Sequence, residues 1–236
     1  MWNAQGCGHW NFNRVARQYL DHSPDIVGFV ETRISSHAAD KAIAQLKILN
    51  SFRVEADGFS EGIWICWYDH IQVDVLFSHF QFVHCWIHCK SNNRSVLATI
   101  VYASPNPTKR RALWKYLHLL SNHINEPWIV LGDFNAALSP NDRKGCDPSS
   151  DHDFSNVVFY SSLYDLRYQG PDFTWYRGPG AVHLDRCLCN DKWLVAYPDT
   201  LVYHLLRMKS DHRHLLLSIG KNPNKRQQGQ FYYFSR

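Results

Sequence analysis

The sequence predicts an α/β protein built as a sandwich of two sheets. Five strand-like apolar stretches follow one another between Phe52 and Tyr102 with no helix among them, whereas alternating βαβ units would place helices between the strands. Amphipathic helical segments lie on both sides of that stretch. Hydrophobic residues make up 45% and charged residues 19% of the 236 residues, and this composition excludes a disordered chain.

The first part of the chain is predicted to hold two helices around one buried strand. Residues 14–20 place apolar side chains at helical spacing, and Pro24 ends that helix. Residues 25–30 form an apolar strand that presents Glu31 at its carboxyl end. Ser36 is expected to cap a second helix that runs to about residue 49.

The middle of the chain is predicted to be a series of strands followed by one long helix. Turn-prone stretches such as Asp57-Gly58 and 91–93 separate the strands. The predicted strands are 52–56, 63–68, 72–77, 81–89 and 96–102. Asn106 and Pro107 are typical of a helix start, and the apolar stripe continues to about Ile124.

The last part of the chain is predicted to contain short strands. A buried strand at 128–131 leads into Gly132-Asp133-Phe134-Asn135, a loop covers 139–153, and a helix covers 154–162. Further strands are expected at 173–176, 184–189, 201–206 and 215–219. Beyond Gly220 the composition becomes polar and basic.

Charge and cysteine content limit the possible classes of function. The formal net charge of +4 permits an anionic partner without requiring one. No apolar run approaches the ~18 residues of a membrane span, and the first residues do not resemble a secretory signal, so no membrane is expected. The seven cysteines are expected to be free thiols, with Cys187 and Cys189 in the core. The His84-to-Cys89 run indicates strand packing more than a zinc site, which usually has two separated ligand pairs.

Acidic and amide side chains recur at the ends of the predicted strands. Glu31 follows one strand, Asp133 and Asn135 follow another, Asp185 lies in a third, and Ser210-Asp211-His212 precedes a fourth. A rigid sheet can hold such groups together, and clustered carboxylates call for a divalent cation such as Mg²⁺ or Mn²⁺. A histidine beside an aspartate supplies a general base or a cation that faces a phosphate.

These residues also suggest two other interpretations. Asp and Asn after a strand are common turn residues, so each one taken alone is better explained as structural. Ser210-Asp211-His212 is not a serine-hydrolase triad, because three adjacent residues cannot align nucleophile, base and orienting group, and no Gly-x-Ser-x-Gly motif is present. The ordered occurrence of all these groups carries the functional argument.

That ordered set resembles the endonuclease/exonuclease/phosphatase superfamily, and most closely the apurinic-type endonuclease domain of plant LINE-type (non-LTR) retrotransposons. The motifs are Trp2-Asn3, Pro24-Asp25-Ile26-Val27, Glu31-Thr32-Arg33, Tyr102, Gly132-Asp133-Phe134-Asn135, Phe173-Thr174-Trp175, Leu184-Asp185-Arg186 and Ser210-Asp211-His212. The resemblance runs from Trp2 to about Ile219. It implies a four-layer α/β sandwich over residues 1–219, with 220–236 as a polar basic tail or linker.

The resemblance also implies a metal centre. Glu31 is the principal ligand of Mg²⁺ (or Mn²⁺), Asn3 lies beside it, and Asp211 completes the carboxylate cluster.

The other implied roles concern the water and the phosphate. Asp133 and Asn135 position or activate the attacking water, and His212, oriented by Asp185, contacts the scissile phosphate or acts as a base. The remaining implied residues bind a phosphate oxygen (Tyr102) or support the site and phosphate contacts (Thr174 and Ser210). How Asp133 and His212 divide the proton transfers stays open.

Three positions depart from the family pattern. Only Met1 precedes Trp2, where relatives have a full apolar strand, so the first strand is expected to be missing and Asn3 to be poorly held. Gln5 replaces an acidic residue of the repair-type members, which favours the retrotransposon branch. His183 replaces a frequent arginine and is expected to weaken a phosphate contact.

The expected function is a Mg²⁺-dependent endonuclease that nicks duplex DNA, acting as a monomer with no obligate protein partner and in the nucleus. Lys109-Arg110-Arg111 and Lys221, Lys225 and Arg226 are available for phosphates or are ordinary solvated surface. Two alternatives stay open. One is a phosphatase of the same fold acting on inositol phosphates or phospholipid headgroups, and the other is a degenerate, non-catalytic retroelement fragment.

Overall fold

A four-stranded sheet forms one half of the computed structural model, which describes residues 1–56, 61–147 and 151–220. Its strands are β1 (Trp2–Asn3), β2 (Ile26–Val30), β3 (Asn50–Val54) and β4 (Ile63–Trp67). They lie in the order β1-β2-β4-β3, with β1 parallel to β2 and the other neighbours antiparallel. The predicted turn at Asp57-Gly58 lies outside the described residues.

A six-stranded sheet forms the other half. Its strands are β5 (Ile71–His79), β6 (Phe82–Cys89), β7 (Arg94–Tyr102), β8 (Trp128–Asp133), β10 (Tyr164–Asp165) and β14 (Asp185–Cys189). They lie in the order β10-β14-β8-β7-β6-β5, and only β7 and β8 pair in parallel within this sheet. The two sheets pack through a shared apolar cluster that includes Val30 and Ile63 from the first sheet and Val83 and Ile100 from the second.

Helices cover the outer face of each sheet. They are α1 (Phe12–Leu20) and α2 (Ser36–Leu46) on the first sheet, and α3 (Pro107–Ser121) and α4 (His152–Tyr160) on the second. Phe12 of α1 packs edge-on against Trp64 of β4, and Trp114 of α3 stacks on Phe154 of α4, so aromatic side chains stabilise both helical layers. This four-layer α/β sandwich confirms the predicted fold class.

Short strands extend the sandwich near its edges. One small sheet contains β11 (Tyr168–Gln169), β15 (Leu201–His204) and β16 (Leu215–Ser218), and another contains β9 (Arg143–Lys144), β12 (Trp175–Arg177) and β13 (Gly180–Val182). A 3-10 turn covers Pro140–Asp142, and a short helix, α5, covers Asp191–Ala196. No helix in the described ranges has the length and apolar character needed to cross a bilayer.

The start of the chain differs from the prediction. β1 has two residues and pairs with β2, while Met1 exchanges two backbone hydrogen bonds with Leu215, of 2.8 and 2.9 Å. The expectation that Asn3 would be poorly held is wrong, because these bonds anchor the segment on both sides and Asn3 is only 1% exposed.

Several element boundaries also differ. α2 begins after Ser35 and ends at Leu46, three residues before the predicted end, because Lys47 adopts a left-handed conformation with φ of 59°. α3 begins as predicted, with the Asn106 side chain accepting from the backbone amides of Thr108 and Lys109. α5 was not predicted, although the Asn190 side chain caps it through the amide of Trp193.

Five of the seven cysteines are buried, whereas Cys89 is half-buried and Cys146 is exposed. Cys85 packs with Cys189 in one apolar cluster, and Cys187 packs with Val202 in another, which confirms the prediction that Cys187 and Cys189 belong to the core. All the cysteines are free thiols.

Candidate active site

The pairing of β8 with β14 places two carboxylates side by side. Asp133 ends β8 and lies opposite Asp185, the first residue of β14, in the antiparallel register. Gly132 has a φ of +146°, and a Cβ there would lie 2.0 Å from the backbone oxygen of Val101. Only glycine therefore allows β8 to approach β7 at this point.

His212 joins this pair from the segment before β16. Its Nδ1 lies 2.9 Å from Oδ2 of Asp185, and its Nε2 lies 3.8 Å from Oδ2 of Asp133 and 3.7 Å from Oδ1 of Asp211. The side chains of His212, Asp133 and Asp185 are all buried. The structure thus holds one imidazole ring with three carboxylates around it.

Asn3 and Glu31 lie on the adjacent strand ends of the first sheet. Nδ2 of Asn3 donates to Oε2 of Glu31 and to Oδ2 of Asp133, both over 2.8 Å, so this amide bridges the two sheets at the site. Its Oδ1 accepts from the backbone amide of Gln5 over 3.2 Å. The other oxygen of Glu31 forms an ion pair with Arg33.

Backbone conformation turns several of these side chains toward one another. Glu31, Arg33 and Asn135 have φ values of 54°, 56° and 47°, a left-handed conformation that is uncommon for such residues. Asn135 donates from its backbone to Oδ1 of Asp133 over 2.8 Å and from its side chain to the carbonyl of Ala103. Left-handed residues with such firm hydrogen bonds are concentrated at functional sites.

Thr174 and Ser210 bind the backbone of the site. The hydroxyl of Thr174 accepts from the amides of Leu184 and Asp185 over 3.0 and 2.9 Å, and it fixes the start of β14. The hydroxyl of Ser210 donates to the carbonyl of Asn3 over 2.9 Å and accepts from the amide of His212 over 3.0 Å. Both side chains therefore stabilise the positions of the residues named above.

Tyr102 ends β7 beside Asp133. Burial, followed by the negative charges of Glu31 and Asp133, raises the pKa of its phenol. The hydroxyl group therefore keeps its proton at neutral pH and can donate a hydrogen bond to an anionic oxygen.

Burial and neighbouring charge shift the pKa of both central groups. Desolvation raises the pKa of Asp133 to about 7, and Asp185 adds to this shift, while His212 opposes it. Burial by itself lowers the pKa of His212, but the charges of Asp185 and Asp133 outweigh it and raise that pKa to about 10. The site thus concentrates negative charge around one positively charged ring.

The site offers oxygen ligands of the kind that hard divalent cations prefer. Oδ1 of Asp211 is buried and has no hydrogen-bond partner among the described residues. Glu31 and Asn3, which are hydrogen-bonded to each other, add carboxylate and amide oxygens to the site. Donor atoms of Asp133, Asp185 and His212 also lie within 4.8 Å of one another. The residues present therefore fit a divalent cation.

Three contacts were not predicted from the sequence. Arg33 pairs with Glu31, Gln5 accepts from the backbone amide of Asp211 over 3.5 Å, and Nε1 of Trp175 donates to Oδ2 of Asp211 over 2.9 Å. All three residues lie within or next to the motifs that carry the resemblance. Their position beside these motifs was the one indication in the sequence that they belong to the site.

Two residues that the sequence analysis considered in connection with phosphate binding are buried. Arg110 is buried and pairs with Asp151 over 2.7 Å, so it links α3 to α4 and is not available to a ligand. His183 is buried beside Tyr168, and desolvation followed by the charge of Arg186 lowers its pKa to about 2, so it carries no charge at neutral pH. Lys221, Lys225 and Arg226, which were left open between phosphate binding and solvated surface, lie outside the described residues.

The fold and the order of the site residues define a class of protein. The model of the Endonuclease/Exonuclease/phosphatase family matches residues 2–212, and this chain belongs to that family. No curated protein matches the chain.

Solved structures share the fold at low sequence identity. An AP endonuclease from Leishmania major has a TM-score of 0.70 and 16% identity, over 91% of this chain and 84% of that one. The endonuclease domain of TRAS1, a telomere-specific non-LTR retrotransposon, has a TM-score of 0.68 and 15% identity, over 92% of this chain and 95% of that one. A 3'-5' exonuclease from Neisseria meningitidis has a TM-score of 0.66 and 19% identity, over 92% and 97%.

Proposed function

We propose that this chain is a divalent-metal-dependent phosphodiester hydrolase that nicks duplex DNA, with its origin in a LINE-type retrotransposon. The proposal rests mainly on one observation: residues from the two sheets contact each other at the site. The buried pair of His212 and Asp185 faces Asp133, and Asn3 connects Asp133 to Glu31 on the other sheet. This arrangement supports hydrolysis at a phosphate because it combines a cationic ring, a carboxylate that can bind water and oxygen ligands for a metal.

Glu31, Asn3 and Asp211 would hold the cation, Mg²⁺ or Mn²⁺. When bound, it would neutralise charge that develops on the phosphate oxygens. His212 and Asp185 are hydrogen-bonded to each other, whereas Oδ1 of Asp211 is buried with no hydrogen-bond partner among the described residues, which favours Asp211 over that pair as a ligand.

The chain's own residues then divide the remaining work. Asp133, with its Oδ1 held by the amide of Asn135, orients the attacking water. His212, held by Asp185, contacts the scissile phosphate, and the hydroxyl of Tyr102 donates to a phosphate oxygen. Asp133 and His212 share the proton transfers, while Thr174 and Ser210 keep the loops in register.

The choice of DNA as substrate rests on the motif order and on the neighbouring structures. The motifs around Glu31, Thr174 and Asp185 are those of the retrotransposon branch, and the fold is shared with the TRAS1 endonuclease domain. We further propose that the chain acts as a monomer and in the nucleus, where such an element meets its target DNA.

The substrate is tested with the purified chain and Mg²⁺ on two kinds of phosphate ester. Supercoiled plasmid reports nicking by conversion to the open circle, and inositol phosphates report release of inorganic phosphate. Nicking with no phosphate release supports the proposal. Phosphate release with no nicking would assign the site to small phosphoesters, and failure on both substrates by a folded chain would favour a non-catalytic fragment.

A further inference from the structure

A groove lies between α1 and the segment that contains Met208 and Lys209, which leads to His212 of the candidate active site. Its volume is about 400 Å³, and its lining residues are Arg14, Val15, Gln18, Met208 and Lys209. The hydroxyl of Tyr19 donates to the carbonyl of Leu206 over 3.2 Å and ties the two walls together. None of the residues with proposed catalytic or metal-binding roles lines this groove.

The walls of the groove carry positive charge. Arg14 and Lys209 line it, and Arg17 and Arg207 stand on the same two segments, all four exposed to solvent. No Asp or Glu occurs in residues 4–20 or 201–210. In the ranges that the structure describes, none of these four cations forms an ion pair with a carboxylate.

Aromatic rings hold two of the cations. The guanidinium of Arg14 lies 5.9 Å from the ring centre of Trp10, which is 79% exposed, and the guanidinium of Arg207 lies 4.9 Å from that of Tyr176. Such contacts orient the arginines at little cost and leave their N–H groups free to donate. Arginine and lysine side chains clustered on one face are typical of surfaces that bind nucleic acid.

The groove is close to the proposed site of cleavage. Lys209 precedes His212 by three residues, and an extended chain spans at most about 3.6 Å per residue, so their Cα atoms are within about 11 Å. One strand of duplex DNA rises about 3.4 Å per nucleotide along the helix axis. The Cα atoms of Lys209 and His212 are therefore no farther apart than about three nucleotides of one strand measured along the duplex axis.

We propose that this groove, which we call the α1 groove, binds the sugar–phosphate backbone of the duplex next to the cleaved bond. Arg14 and Lys209 contact phosphates from opposite walls, and Trp10 packs at the rim. The inference rests on the proposed function, because it takes the ligand of the groove to be the flank of the same DNA substrate. It adds a binding surface, outside the proposed catalytic and metal-binding residues, that determines how the duplex lies on the protein.

The test measures DNA affinity separately from cleavage. Binding of a labelled duplex is followed by fluorescence anisotropy in EDTA at several salt concentrations, for the wild-type chain and for Arg14→Gln/Lys209→Gln. The matched control, Lys90→Gln/Arg94→Gln, removes the same charge at the far end of β7, roughly 25 Å from Tyr102. Nicking of supercoiled plasmid in Mg²⁺ is measured for the same proteins, and circular dichroism checks their folding.

The proposal predicts that the groove variant binds about 10-fold more weakly near 0.1 M salt and that its log–log salt slope is smaller by about 2, since two phosphate contacts are lost. The control should bind like wild type.

Two outcomes would overturn the assignment of the groove: equal binding by the groove variant and wild type, or equal losses of binding in both double variants. Nicking by the wild-type chain would in that case still support the proposed function. A wild-type chain that neither binds nor nicks DNA would overturn both. If the double variant does not fold, Arg14→Gln and Lys209→Gln alone should each reduce the slope by about 1, and an unchanged slope in both would overturn the groove.

Discussion

Nδ1 of His212 lies 2.9 Å from Oδ2 of Asp185, and both side chains are buried. The hydrogen bond fixes the plane of the imidazole ring, so that Nε2 faces the carboxylates of Asp133 and Asp211. Asp185 thus fixes the position of the ring that we propose to contact the scissile phosphate. This hydrogen bond joins the start of β14 to the segment before β16, two parts of the chain that are distant in sequence.

Replacing Asp185 by Asn tests this relationship. Asp185→Asn keeps the size of the side chain but removes the charge and offers the ring a poorer acceptor. We expect nicking to fall by about 10²- to 10⁴-fold while the circular dichroism spectrum is unchanged. The exposed Asp191→Asn variant loses the same charge at the start of α5 and should retain full activity. Nicking by Asp185→Asn at the wild-type rate would show that the ring does not depend on this carboxylate.

Trp175 is expected to position Asp211 through its indole N–H. Trp175→Phe keeps an aromatic ring and removes the donor that lies 2.9 Å from Oδ2 of Asp211. A hydrogen bond to a charged group contributes about 1.5–3 kcal/mol, so we expect a loss of roughly 10- to 100-fold in kcat/KM.

The matched control for this variant is Trp193→Phe, which removes the indole donor to Thr200 in a region away from the candidate site. It should lower the unfolding temperature without lowering kcat/KM of the folded protein. A Trp175→Phe variant that loses only thermal stability would contradict a positioning role. A changed Mg²⁺ dependence of the rate would support it.

Glu31 and Asp133 could be predicted from sequence because each comes at the carboxyl end of an apolar run. Asp185 begins its strand and was predicted from the ordered set of motifs. The structure brings all three together with Asn3 and His212. The meeting of Asn3 with both Glu31 and Asp133 was not predictable from periodicity, since it depends on how the two sheets pack.

Other parts of the fold lacked a local signal. Strands of two or three residues, such as β9 and β11, are too short to show an alternating pattern, and their pairing depends on tertiary contacts. Arg110 stood in a basic run that suggested a surface or phosphate contact, yet Asp151 and two backbone carbonyls bind it in a buried position. Such burial depends on a partner that lies 41 residues away.

Gly132 is expected to tolerate no side chain. In Gly132→Ala the new Cβ would lie 2.0 Å from the backbone oxygen of Val101 at a φ of +146°. The clash and the backbone strain together should cost about 3 kcal/mol or more in unfolding free energy. Gly178→Ala is the control, because no atom lies within 4 Å of its added Cβ, although its φ is also positive. Thermal or urea unfolding of both variants checks this, and equal stabilities would contradict the close approach of β8 and β7.

His84 is expected to weaken the fold as the pH falls. Its Nδ1 lies 2.8 Å from the hydroxyl of Thr99, which accepts from Nε1 of Trp128 and can donate its own proton to an uncharged ring. Burial lowers the pKa of His84 from 6.5 to about 4 in the folded chain. The unfolded state therefore binds the proton first, and stability that is complete above pH 6.5 is lost as the pH falls toward 4.

The size of this effect is on the order of 3 kcal/mol in unfolding free energy, and it can be read from urea unfolding at several pH values. His84→Gln should reduce the fall in stability between pH 6.5 and 4, even if its stability at pH 7 is lower. His37→Gln, on the exposed side of α2, should keep the wild-type pH dependence. A His84→Gln variant with the wild-type slope would contradict the assignment.

The central claim is that Glu31 and His212 belong to one metal-dependent site that cleaves DNA. The most direct measurement is nicking of supercoiled plasmid by the wild-type chain, Glu31→Ala and His212→Ala, each with Mg²⁺ and with EDTA. The account predicts nicking by the wild type only in Mg²⁺ and a loss of at least about 10²-fold in both variants, with their folding intact. Nicking by either variant at the wild-type rate, or wild-type nicking that persists in EDTA, would contradict it.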